Sequence, residues 1–113
     1  MSYAAVVARL IRDFGEDVSL EQDGVSLGNG KAILRPRLDE RDQFLPSPLG
    51  VRREEEVLCL GETGLPFPAE PDRVVLRQGG TAYDVVSART VTVGREPVYR
   101  RAVLRRRDEE ESQ

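Results

Sequence analysis

The sequence predicts a mainly β protein: a small antiparallel β-barrel of about six strands with one N-terminal α-helix and a long loop after the second strand. Three observations predict it. Apolar residues recur at spacings of three and four in one stretch, near the N-terminus. After Gly15 they alternate instead with polar residues, the period of a strand with one buried face. Turn pairs such as Asp23-Gly24 and Gly79-Gly80 then interrupt the alternation at hairpin spacing.

The helix covers residues 2–14. Tyr3, Val6, Val7, Leu10, Ile11 and Phe14 fall on one face, whereas Arg9, Arg12 and Asp13 fall off it. Ser2 is placed to cap the N-terminus, and Gly15 stands where a left-handed C-cap residue belongs. Such a stripe needs a surface to cover, either its own barrel or a partner.

In the first strand Val18 and Leu20 alternate with Asp17, Ser19 and Glu21, and Asp23-Gly24 turns the chain. Val25, Ser26 and Leu27 lead to an expected second turn at Asn29-Gly30. Residues 31–38 read as a strand with Ala32 and Leu34 on one face and Ile33 and Arg35 on the other. Pro36 lacks an N–H for the ladder and belongs at an edge or strand end.

Residues 39–53 keep no period and contain Pro46 and Pro48. A connection of this length in a compact domain is uncommon and tends to be functional or disordered. Residues 56–61 form a short strand. The prolines at 66, 68 and 71 suggest a stiff, extended connection over residues 64–71. Three strands follow at residues 73–77, 81–93 and 98–106. The chain thus reads as one barrel domain over residues 1–107, with a polar, acidic tail, residues 108–113, expected to be disordered.

Composition narrows the function classes. The 113 residues carry a net charge of −3, and Lys31 is the only lysine. Arginine suits bidentate ion pairs and packed interfaces, although a GC-rich genome produces the same bias. There is no histidine, which removes the commonest general base and metal ligand and every Ser-His or Cys-His arrangement. Cys59 is a single cysteine in an apolar strand, which excludes an internal disulfide and points to a buried thiol in a reducing cytoplasm. Gly28-Asn29-Gly30-Lys31 lacks the Walker spacing and reads as a turn. Carboxylate runs such as Glu54-Glu55-Glu56 read as solvated surface. No stretch approaches the ~20 apolar residues of a membrane helix, and Arg9 and Arg12 argue against a secretory signal. The expectation is a protein that binds macromolecules and is not an enzyme, with no cofactor, no metal and no membrane.

The C-terminal half carries a family resemblance. An acidic turn and strand, Glu70-Pro71-Asp72-Arg73-Val74-Val75-Leu76, is followed by Gly80-Thr81-Ala82-Tyr83-Asp84-Val85-Val86-Ser87-Ala88 and then by Val98-Tyr99-Arg100-Arg101-Ala102-Val103-Leu104. With the short N-terminal helix and the long loop after the second strand, this resembles the head-closure (stopper) or head–tail connector proteins of long-tailed bacteriophages and related prophage elements. The resemblance covers most of the chain and rests on the order and lengths of elements more than on any motif. It implies a virion subunit, assembled in the host cytoplasm, that self-associates into a ring. A portal-adaptor protein would sit above the ring and a tail protein below it, closing the DNA-filled head.

The resemblance also implies that the long loop projects into the channel. The candidate plug residues are Asp39, Glu40, Arg41, Asp42, Gln43, Phe44, Leu45, Leu49, Arg52 and Arg53. Asp39, Glu40 and Asp42 would repel packaged DNA, and Arg41, Arg52 and Arg53 would pair with neighbouring subunits. Two other readings compete. One is a tail-completion or terminator protein, another ring component of the virion. The other is an OB-like nucleic-acid-binding barrel, supported by Arg100-Arg101 and Arg105-Arg106-Arg107 but weakened by few aromatics and the acidic net charge.

Overall fold

The computed structural model describes residues 2–36 and 56–107. The ten candidate plug residues and the acidic tail lie outside the described residues.

Helix α1 spans Tyr3–Phe14. It starts where expected, with the Ser2 hydroxyl accepting from the Ala5 N–H at 3.1 Å. Its end differs from the expected left-handed cap, because Gly15 is extended, at φ −79° and ψ 165°. Gly15 donates its N–H to the Ile11 carbonyl at 2.7 Å. Glycine is needed there for closeness rather than for handedness: a Cβ would sit 2.3 Å from the Ile11 oxygen and 3.1 Å from that of Ala32.

Six antiparallel strands follow: β1 Glu16–Gln22, β2 Val25–Pro36, β3 Glu56–Gly61, β4 Val74–Gln78, β5 Thr81–Val93 and β6 Glu96–Arg106. They close into a barrel in the order β1-β2-β3-β6-β5-β4, with β4 returning to β1. Closure removes most of the open edges that a flat sheet of this size would present. Alternate residues of every strand meet inside. One inner row runs Leu34–Cys59–Ala102–Ala88, and Val18, Leu20, Leu76 and Leu104 are nearly inaccessible.

Two features depart from the sequence reading, and they share one cause. The expected turn at Asn29-Gly30 does not form, since β2 runs unbroken and pairs Ser19 with Asn29 and Val18 with Gly30. The connection after β3, expected only to be stiff and extended, sends Leu65 and Phe67 into the core, 1% and 5% exposed. The glycines of this region make room for that insertion. A Cβ on Gly61 would lie 2.3 Å from Leu65 Cδ1, one on Gly30 2.9 Å from Leu65 Cδ2, and one on Gly28 3.1 Å from Pro66 Cγ. Gly28 and Gly30 are therefore close-approach glycines in a strand and not turn residues. Arg100 of β6 holds the insertion from the other side, donating from Nη2 to the Phe67 carbonyl at 3.2 Å with its guanidinium 5.5 Å from the ring centroid.

Beta-bulges re-aim the longest strands. Val85 faces Leu104 and Ser87 faces Val103, which leaves Val86 unopposed. From there Ala88, not Arg89, points toward the core beside Ala102. On β6, Val98 is skipped between Pro97 and Tyr99, and it is buried.

Candidate assembly surface

Strand direction places the connections at two ends of the barrel. Pro36 at the end of β2, Glu56 at the start of β3, the Gly79-Gly80 turn and Arg107 lie at one end; the Asp23-Gly24 turn, residues 62–73 and the Gly94-Arg95 hairpin lie at the other. The roots of the 37–55 connection are fixed neighbours, because Pro36 pairs with Val57 and Arg35 with Leu58.

The apolar stripe of α1 is only half used. The helix lies against β2 and β6. Ile11, at 1% exposure, is its one buried residue, with Ala4 and Val7 half-buried on the adjoining flank. The rest of the stripe is open: Tyr3 is 71% exposed, Phe14 72%, Leu10 46% and Val6 40%. These four residues follow one another at helical spacing and make a continuous apolar ridge. Beneath the helix, Ile11, Arg12, Glu62 and Val98 line an open cleft of about 240 Å³. That is smaller than the roughly 300–1,000 Å³ typical of small-molecule sites. The Glu62 carboxylate there is engaged by the Lys31 backbone N–H at 2.8 Å.

The outer face carries a second feature. Register sets Ile33, Leu60, Arg101 and Arg89 in one row across β2, β3, β6 and β5. The neighbouring rows are Arg35–Leu58–Val103–Ser87 and Tyr99–Val91. Arg89 and Arg101 thus stand directly opposite each other, and neither row beside them holds a carboxylate. Several other surface charges are matched: Arg77 meets Glu21 at 2.9 Å, Lys31 meets Asp17 at 3.0 Å and Arg107 meets Asp84 at 3.8 Å. The outer edge of β5 beyond Asp84 has no strand beside it among the described residues, and Val86 and Val93 are exposed along it.

Cys59 is fully buried, and desolvation pushes its thiol up to about 12 from 9.0, so it stays protonated and inert. Among the described residues no three His, Cys, Asp or Glu side chains converge to hold a metal ion. No helix of the described residues is long and apolar enough to cross a membrane. Tyr83 packs partly against the core, whereas Tyr99 lies half-buried in the outer rows.

The opposed arginines escape a reading of the sequence, since the Val86 bulge decides which residue faces Arg101. The insertion of Leu65 and Phe67 had a faint signal: apolar residues alternate with Pro66 and Pro68. Fold and surface together define the chain as a closed six-stranded antiparallel β-barrel with one attached helix. No known protein family, curated protein or solved structure matches it.

Proposed function

We propose that this chain is a structural subunit of the neck of a tailed phage or prophage-derived particle. It self-associates into a ring between a portal-adaptor protein and a tail protein, closes the DNA-filled head and presents the tail-docking surface. The observation that carries this reading is the uncovered ridge of Tyr3, Val6, Leu10 and Phe14 on a barrel whose core is otherwise closed. A small protein does not keep four large apolar side chains in line on a helix for its own folding. Covering each would contribute on the order of 1 kcal/mol or more to an assembly. The barrel, the N-terminal helix and the connection after β2 also agree in order with the resemblance described above. In this reading residues 39–53 line the channel.

The test is assembly. The purified chain, alone and with portal and adaptor proteins from the phage or prophage genome that carries it, is examined by light scattering and electron microscopy. Rings or a stable ternary complex are expected. Leu10→Glu with Phe14→Ser should abolish them while shifting Tm by only a few degrees, because both side chains are already exposed. A wild-type chain that stays monomeric and ignores the portal and adaptor defeats the proposal.

A further inference from the structure

Arg89 and Arg101 form a cationic site with no counter-charge among the described residues. Directly opposed residues on antiparallel strands have Cβ atoms about 4.5–5.5 Å apart, and like charges so placed destabilise a sheet. Here Arg89 is exposed and Arg101 half-buried, and neither makes an ion pair or side-chain hydrogen bond among the described residues. Arg35, two strands away in the next row, is exposed and adds a third guanidinium without an ion pair among the described residues. Two planar forks side by side, flanked by Leu60 and Tyr99, fit carboxylates of an extended peptide.

The chain itself holds the complementary segment. Asp108-Glu109-Glu110-Glu111 is its longest run of carboxylates. The other acidic runs are shorter, as in Glu54-Glu55-Glu56. We infer that the acidic segment 108–111 of one copy docks on Arg89 and Arg101 of another.

Chain length argues for a second copy over the same one. Arg107 is six residues beyond Arg101 along β6, or about 20 Å of strand. To return, the chain must first reverse, and a tight turn takes about two residues. The remaining two carboxylates then span about 7 Å of extended chain. The contact is one between copies and so rests on the self-association proposed above. Joining one end of a barrel to the side of the next is a heterologous contact, the kind that builds rings.

The test uses the full chain and a fluorescein-labelled peptide of sequence RDEEESQ, followed by anisotropy and by the Nε–H resonances of ¹⁵N-labelled arginine. Saturable binding is expected, with the Arg89 and Arg101 resonances shifting first and the affinity falling at least tenfold between 50 and 500 mM salt, roughly as screening of exposed ion pairs dictates. Arg89→Glu with Arg101→Glu should abolish binding of this peptide and confer binding of a peptide carrying lysines in place of the four carboxylates. The rescue separates lost recognition from lost folding. No saturable binding, or binding indifferent to both substitutions, overturns the inference. So does a DNA duplex that binds the same arginines at sub-micromolar concentration and displaces the peptide, which would make nucleic acid the occupant. The peptide measurement needs no ring: rings without peptide binding defeat this inference alone, and peptide binding without rings or portal contact defeats the neck assignment alone.

Discussion

Leu65 and Gly61 form a pair whose energetics are readable from the structure. Leu65→Ala removes a side chain that is 1% exposed at the centre of the glycine-lined seat. Truncations of this kind cost about 2–5 kcal/mol, against a total stability of roughly 5–15 kcal/mol for a domain. Gly61→Ala alone introduces a Cβ that would fall 2.3 Å from Leu65 Cδ1. Leu65 is enclosed in the core and has little room to swing aside. Overpacking there should cost about 1–3 kcal/mol. In the Leu65→Ala background the obstruction is gone, and Gly61 has a φ that any residue adopts. Alanine is then preferred over glycine in a strand by about 0.5–1 kcal/mol. The same substitution should therefore change sign between the two backgrounds, with a coupling of about 2 kcal/mol. Urea denaturation of the four variants, followed by circular dichroism, measures it, provided the slope with denaturant stays constant. If Gly61→Ala costs the same in both backgrounds to within about 0.5 kcal/mol, the seat is not what places Leu65.

Two further outcomes follow from the core and from the roots of the long connection. Cys59 should alkylate slowly in the native chain at pH 8 and fast in urea, and Cys59→Ser should cost on the order of 1–3 kcal/mol. The folded thiol keeps its proton to about 12 while the unfolded one loses it near 9.0, so stability should fall as pH rises above 9, by up to about 1.4 kcal/mol per pH unit. A pH-independent stability between 9 and 11 would refute the burial of the thiol. Replacing residues 41–49 by a short Gly-Ser linker should leave the barrel folded, since Pro36 and Val57 already pair at the roots. In a phage carrying that change, heads should leak DNA or fail to accept tails. Unfolding of the shortened chain would place the segment in the core, and normal phage yield would remove it from the channel.

The local pattern of the sequence determined the helix, its Ser2 cap, five of the six strands to within about two residues and the hairpins at Asp23-Gly24, Gly79-Gly80 and Gly94-Arg95. These depend on neighbours in the chain: period, capping hydroxyl, turn glycine. It also marked Cys59 as a core residue and put Ala32 and Leu34 together on one face of β2, although only the structure shows that this face turns inward. What only the tertiary structure decided depends on contacts remote in sequence. Gly28 and Gly30 look like turn residues until Leu65 and Pro66 are brought against them, more than thirty positions later in the chain. Gly15 looks like a left-handed cap until Ala32 approaches its backbone. The stripe of α1 is continuous in the sequence, but the barrel covers only the flank that holds Ile11 and leaves Tyr3, Val6, Leu10 and Phe14 open. Arg89 and Arg101 are twelve residues apart, and a single bulge at Val86 makes them face each other. A pattern read along the chain reports which side chains share a face; closure of the barrel decides what that face meets.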